Sequence, residues 1–424
     1  SPDYAPAARP DALAFGLVEG WRGEICHVTL TDAQGALRGY KIKDPSLHNW
    51  LALALAVPAF AQSGDEPKLK ISPTGRILLD GALYAGQTHD LFDPGVAITD
   101  ARVGVKASYG KWNACIDVGY AYGKVGLKDI YLQYNFDEEN LLRGGHFIHQ
   151  YGLQSATSSS MKCTMEEPTS NEVFNAPRQL GIMYVHSTDK WLATASAHVE
   201  PQSTFLHANK MQKQGYGVLS RVIARPVHED GNTVQLGISG GFGTPQYSDD
   251  NEENHHVFEL GGNFPTRVDQ VKAVDATVDH AMNMFKFTPE LLLSYQKVAL
   301  EAQYFFNRYN RRQHIHAFTG QGGYVTLRGL LIGDRYGYAM VDGGLATPSA
   351  KSLELVLSYN YTTLTDEHAG IWGGRVNDVS ATLNYYINKY MLFRFRYAYT
   401  HRWDCDFAPK VDLSAFQARL QIIF

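Results

Sequence analysis

No stretch of this chain is long and apolar enough to cross a bilayer as a helix. The longest candidate, Trp50 to Ala61, falls short of the roughly 20 residues such a span needs. The four cysteines, Cys26, Cys115, Cys163 and Cys405, keep no close spacing, which argues against a zinc knuckle and against a disulfide framework. Positive charge is in deficit as well: 38 Lys and Arg stand against 43 Asp and Glu, for a formal charge of -5. A nucleic-acid partner would require a clustered basic surface, so none is expected. What the chain has is 25 Tyr, 20 Phe and 39 Gly at a mean hydropathy of -0.26. That composition suits strands that are apolar on one face only and carry aromatic girdles at their ends.

The pattern along the chain agrees. Side chains of a strand alternate between faces, so in the last nine residues Phe416, Ala418, Leu420, Ile422 and Phe424 share one face and Gln417, Arg419 and Gln421 the other. The same alternation sets Leu353, Leu355, Leu357, Tyr359 and Tyr361 against Glu354, Ser358, Asn360 and Thr362, and Val379, Ala381, Leu383, Tyr385 and Ile387 against Asp378, Ser380, Thr382 and Asn384. A turn at Asn388-Lys389 then leads to Met391, Phe393, Phe395, Tyr397 and Tyr399 opposing Arg394, Arg396, Ala398, Thr400 and Arg402. Runs of this kind recur from Ile71 onward between Gly, Asn, Asp and Pro. The fold class expected is all-β, a transmembrane antiparallel up-and-down β-barrel of about 16 strands, with about 14 to 18 as the range. A soluble sandwich would also alternate, but it would not finish on an outward Phe.

The front of the chain differs. Lys41 and Lys43 precede the apolar run, and Ala59-Phe60-Ala61 reads as a small-x-small cleavage site. Residues 50–62 are therefore expected to be a signal-peptide-like segment cut near Ala61, with 1–49 an N-terminal extension and 63–424 the barrel. A short buried helix is the alternative for that run. Gly16-Leu17-Val18-Glu19-Gly20-Trp21-Arg22-Gly23-Glu24, Thr31-Asp32 and Asp44-Pro45-Ser46-Leu47-His48-Asn49-Trp50 resemble a stretch of the large subunits of membrane-bound nickel–iron hydrogenases and the related subunit of respiratory complex I. That family holds its metal with cysteine pairs and Cys26 stands alone, so no hydrogenase or quinone chemistry follows. With no methionine before Met161, a fused or misjoined reading frame is the expectation for this extension.

The barrel carries a second resemblance. Lys128-Asp129-Ile130-Tyr131-Leu132, Arg143-Gly144-Gly145-His146-Phe147, Tyr151-Gly152-Leu153, Ser158-Ser159 and Arg178-Gln179-Leu180-Gly181 are similar, in order and spacing, to the phosphate-selective porin O/P family of Gram-negative outer membranes. Gly322-Gly323-Tyr324-Val325, Val376-Asn377-Asp378-Val379 and Phe416 to Gln421 continue the likeness, which spans about residues 72–424. It implies a sixteen-stranded outer-membrane porin, usually trimeric, that passes small anions or polar solutes through a water-filled lumen lined by arginine and lysine. It also implies a transient partner, the barrel-assembly machinery, reading the last strand at Phe424.

For the lumen, the alternation nominates Arg394, Arg396, Arg328, Arg419, Arg102, Lys106 and Arg402 as anion-binding, since rings of Arg or Lys are what an anion pore uses and an arginine fork matches phosphate oxygens. The other reading is that such arginines pair with facing acids such as Asp80, Glu301, Glu354 and Asp378 and stiffen the wall of a general diffusion pore. The irregular stretch His149 to Pro177 is too long for a turn and is expected to fold inward as a constriction loop carrying Tyr151, Ser158, Ser159, Glu166 and Glu167, a solvated external loop being the alternative. Residues 244–254, with Asp249, Asp250, Glu252 and Glu253, read better as external. Two competing functions remain. A plugged structural or adhesive barrel is one; an outer-membrane enzyme using His149 and Ser158 to Ser160 is the other, and a serine-rich loop is far more often only flexible. His314 and His316 share a strand face but show no third ligand, so neither a metal nor a cofactor is expected.

Overall fold

The computed structural model describes residues 12–20, 23–34, 37–43, 67–86, 91–121, 124–157, 162–175, 178–199, 214–245 and 256–424. The chain forms two compact units, Ser1–Ile71 and Ser72–Phe424. The first holds an antiparallel sheet of β1 (Leu13–Gly20), β2 (Gly23–Thr31) and β3 (Leu37–Lys43), in that order. The signal-like segment 50–62, with its expected cleavage near Ala61, lies outside the described residues.

The second unit is a closed barrel of sixteen strands. They are β4 (Lys70–Ala85), β5 (Gly95–Tyr109), β6 (Trp112–Ala121), β7 (Lys124–Asn135), β8 (Asn140–Ile148), β9 (Arg178–Ser187), β10 (Trp191–Val199), β11 (Tyr216–Glu229) and β12 (Asn232–Gly243). After a hairpin of β13 (Phe258–Asn263) and β14 (Lys272–Val278) come β15 (Ala281–Tyr295), β16 (Val298–Arg311) and β17 (Phe318–Ile332). A second, smaller hairpin of β18 (Tyr338–Ala339) and β19 (Gly344–Leu345) precedes β20 (Leu353–Asp366), β21 (Ile371–Asn388), β22 (Met391–Cys405) and β23 (Val411–Ile423). Each wall strand pairs with the next, and β23 pairs with β4 to close the cylinder, so no strand edge is left unpaired in hydrocarbon.

The period-2 pattern decides which side chains meet lipid. Along β22, Phe393, Phe395, Tyr397 and Tyr399 are exposed on the outer surface while Arg394, Arg396, Ala398, Thr400 and Arg402 are buried. Along β23, Phe416 is outside and Gln417, Arg419 and Gln421 are inside. Closure brings the two ends of the barrel wall together: the Gly75 N–H donates to the Phe424 carbonyl at 2.8 Å, and the Phe424 N–H donates to Gly75 at 3.1 Å. A Cβ on residue 75 would fall 2.1 Å from the Phe424 ring, so glycine is what lets the terminal aromatic lie across the seam.

At the end of the barrel where β4 begins and β23 finishes, most turns are short, among them Gly110-Lys111, Asp230-Gly231, Gln296-Lys297 and Lys389-Tyr390. The long connections 149–177, 200–215 and 244–280 leave the other end. One connection breaks the pattern: residues 333–352 form a long segment on the short-turn side. Three segments carry apolar side chains against the inward face of the wall. From the 149–177 connection, Tyr151 and Phe174 join Leu260, Phe264 and Val274 of the β13–β14 hairpin region and Phe305, Tyr309 and Phe318 of the wall in one hydrophobic cluster. Leu153 meets Tyr336 and Leu345 of the 333–352 segment over Leu292, Ala299 and Leu330 of β15, β16 and β17 in another. The barrel thus has an apolar core inside, built by inserts, and the water path occupies what the inserts leave open.

Candidate functional site

That path is a cavity of about 1440 Å³. It reaches from Gly75, Ile423 and Phe424 at the closing end to Thr244, Pro245 and Val257 at the other. Among the described residues, eleven lysines and arginines line it against seven carboxylates, so its walls carry a positive excess although the chain as a whole is negative. The basic side is built by strands between β4 and β9. Arg76 of β4, Arg102 and Lys106 of β5, Lys128 of β7 and Arg143 of β8 face inward from the wall, and Arg178 lines the channel from the first position of β9, although it shares the parity of the outward Leu180, Ile182 and Tyr184.

These groups differ in how free they are. Arg76 and Arg102 share Asp100, at 2.6 and 2.9 Å. Arg178 grips Asp129 with two bonds of 3.0 and 3.1 Å. Arg143 is held flat by Gln133, at 3.0 and 2.7 Å, with its guanidinium 4.3 Å from the centre of the Tyr131 ring. Lys106 is exposed to the lumen, and neither it nor Lys128 forms an ion pair among the described residues. A flexible ammonium in water with no fixed carboxylate is the wall group best able to attract and release a passing anion.

The strands from β17 to β23 correct part of the nominated ladder. Arg394 points inward as its parity requires, but it is only 2 % exposed, and its fork donates to Asn384 Oδ1 and to the carbonyls of Thr164 and Lys162, each at 2.6 Å. Arg396 pairs with Asp378 at 2.8 Å and donates to the Pro265 carbonyl. Arg402 holds the carbonyls of Lys272 and Pro409. Arg328 is clamped between Glu301 and Glu354, at 2.7 and 2.8 Å. Arg419 bridges Asp80 at 2.6 Å and Glu166 at 2.5 Å, and donates to the Met165 carbonyl. These side chains fasten inserted backbone and facing acids to the wall. Arg394 and Arg419 border the channel with their donors already used, while Arg328, Arg396 and Arg402 do not line it.

The constriction residues also separate. Tyr151 is fully buried in the apolar core. Glu166 and Glu167 border the channel, Glu167 taking Lys162 at 3.1 Å. Ser158 and Ser159 lie outside the described residues. Burial alone would push the Glu166 carboxyl up, but Arg267, 2.5 Å away, and Arg419 more than offset it and hold the group below its ordinary range. Glu172, which opens onto the channel from the short helix Thr169–Phe174, has no such partner close by. Enclosure by the surrounding protein, helped by the charges of Glu166 and Glu167, outweighs the Asn263 N–H and Arg267 and raises it to about 7. Below that pH Glu172 is neutral and the wall gains net positive charge; above it the wall loses that gain. Chloride preference is therefore expected to rise when both chambers of a bilayer cell are moved from pH 8 to pH 6, and Glu172→Gln should weaken the dependence.

The 333–352 insert is held by two arginines of β11. Arg221, itself paired with Glu290 at 2.7 Å, donates to the carbonyls of Asp342 at 2.7 Å and Gly343 at 3.1 Å. Arg225 takes the Met340 carbonyl and the Tyr338 hydroxyl, both at 2.8 Å. Gly343 has a φ of 63°, and a Cβ there would stand 2.6 Å from Ile223, so the close approach depends on glycine. Sequence reasoning missed Arg76, Lys128, Arg178, Arg267, Lys286 and Glu172 as channel residues. Strand parity could have found Arg76, but Arg267 lies on the bend between β13 and β14, where no periodicity points to it.

Three comparisons bear on this geometry. Residues 106–424 match the family described as phosphate-selective porin O and P. Among solved structures, the trimer form of in-vitro folded OmpT, an outer membrane protein of Vibrio cholerae, is similar with a TM-score of 0.51 at 11% identity, over 84% of this chain and 99% of that one. An anion-selective porin from Comamonas acidovorans matches at 0.53 and 10% over 84% and 100%, and Salmonella typhi OmpF in complex with daunomycin at 0.50 and 15% over 84% and 98%. At these identities the likeness is one of fold. A comparison with curated proteins finds no match.

Proposed function

Because the chain belongs to the phosphate-selective porin O and P family, we propose that its basic wall, and above all Lys106, Lys128 and Arg143, sets the selectivity of the passage. The protein is an outer-membrane porin that lets small anions diffuse passively through a water-filled lumen. The observation that carries the selectivity reading is the excess of lysine and arginine over carboxylate along the channel. A cleft lined by one sign of charge between low-dielectric walls concentrates ions of the opposite sign. Phosphate is a fitting solute, since Arg102, Arg143 and Lys106 present donors to the same space. The use of Arg328, Arg394, Arg396, Arg402 and Arg419 as fasteners favours a moderate preference for anions over a continuous ladder of phosphate sites.

The same reading takes in the partners. The outward band that includes Leu79, Leu83, Phe393 and Phe395 meets lipid, and part of the outer surface joins two further copies in a homotrimer. The trimer form of the OmpT structure supports that arrangement. Phe424, with 57 % of its surface open at the end of the last strand, is where the barrel-assembly machinery would engage. No catalytic step belongs to this reading; His149, the candidate base, has no exposed surface and stacks on Phe147 at 4.3 Å.

The reading is tested by the reversal potential of the reconstituted full chain under a tenfold KCl gradient. A potential of the sign that favours chloride is expected, and one favouring potassium would reject the assignment of the basic wall.

A further inference from the structure

One stretch of the channel is unlike the rest. Near the end that bears the long connections, the lining is hydrocarbon: Phe174, Leu219, Leu260 and Tyr309 belong to the inner core and border the water path, with Phe258 and Met284 packed against them. One lysine amine, among the described residues, stands with them. Lys286 of β15 lies with its stem beside Leu219 across the backbone of Gly241, where a Cβ would meet Leu219 at 2.5 Å and the lysine Cε at 3.3 Å. Its Nζ is 4.0 Å from the centre of the Tyr151 ring and donates to the Phe174 carbonyl at 3.3 Å. Only 7 % of Lys286 remains exposed, it lines the channel, and no carboxylate pairs with it among the described residues.

Resting on the channel reading above, we infer that this stretch is a subsite for an amphipathic organic anion, a monocarboxylate on an aromatic body, with Lys286 taking the carboxylate and Phe174, Leu219, Met284 and Tyr309 taking the ring. Two features separate this ligand from a bare inorganic ion. An enclosed ammonium that makes one long hydrogen bond has donors left, and a carboxylate supplies the charge and acceptors that the wall does not. The remaining oxygens of a phosphate held there would face hydrocarbon without partners, which is unfavourable, whereas an aromatic ring loses water from apolar surface on both sides. His198 also borders the channel and adds an imidazole to the polar side of the subsite. Inorganic anions would pass along the Lys106 and Arg143 side, and organic acids would pause at Lys286.

The test uses the full chain in planar bilayers, with chloride as the current carrier and sodium benzoate, sodium acetate or phosphate as the added anion. Benzoate is expected to halve the chloride current at about one-tenth the concentration of acetate, a difference that ring burial supplies. Lys286→Gln should abolish the advantage of benzoate and Lys286→Arg should keep it, each variant being checked first for heat-modifiable migration as a folded barrel. Equal block by benzoate and acetate in the unaltered protein overturns the subsite and leaves the anion channel standing, as does an advantage that survives in Lys286→Gln. Phosphate blocking more strongly than benzoate also overturns it. Absence of any chloride current overturns the channel reading and the subsite with it.

Discussion

Reversing three charges, Lys106→Glu, Lys128→Glu and Arg143→Glu, is expected to turn the channel from preferring chloride to preferring potassium. Eleven basic side chains face seven carboxylates along the lumen among the described residues, and the three reversals leave eight against ten. The fold should tolerate them. Lys106 and Lys128 enter no ion pair among the described residues, and Arg143 is held by the neutral Gln133 side chain and by the face of Tyr131. The effect should grow with the number of reversals and shrink at high ionic strength, because at 1 M salt the screening length falls to about 3 Å and the wall charge no longer reaches the centre of the passage. Permeability ratios at low and high KCl measure both. A triple variant that folds and keeps its chloride preference would show that the selectivity lies elsewhere.

The second large effect is on stability. Arg328→Met should lower the unfolding free energy by about 3–5 kcal/mol, because removing one partner of a buried ion pair leaves charge without compensation. Here one guanidinium serves two carboxylates, Glu301 at 2.7 Å and Glu354 at 2.8 Å. Glu354 is also the acceptor for the Tyr336 and Tyr386 hydroxyls and the Asn384 amide, at 2.8, 2.7 and 2.9 Å. The loss should therefore loosen β20, β21 and the 333–352 segment together. Adding Glu301→Gln and Glu354→Gln to Arg328→Met should recover most of the stability, since the residual charge is then gone. Denaturant midpoints in detergent micelles check both statements; an unchanged midpoint for the single variant would contradict the account of this network.

Much of the wall is legible in the sequence. The alternation over Met391–Arg402 and Phe416–Gln421 places those side chains on the faces they take in β22 and β23, because period 2 is a property of every strand whatever it packs against. The irregular stretch His149–Pro177 coincides with the connection between β8 and β9. What alternation cannot show is what an inward side chain meets once inside. Arg394 reads as a free cation in the sequence, yet its partners are carbonyls of Lys162 and Thr164, more than two hundred residues earlier in the chain. The β13–β14 hairpin alternates as wall strands do, so its placement against the inner core, next to a stretch read as an external loop, was invisible to pattern. Lys286 escapes the pattern for a related reason: a single lysine on a strand looks the same whether carboxylate or hydrocarbon surrounds it.

The most direct test of the whole account replaces the permeant anion. Single channels of the purified full chain, recorded in KCl and then with chloride exchanged for the bulky gluconate ion at constant potassium, should lose most of their current. A current that survives this exchange and collapses when potassium is replaced by a bulky cation would contradict it.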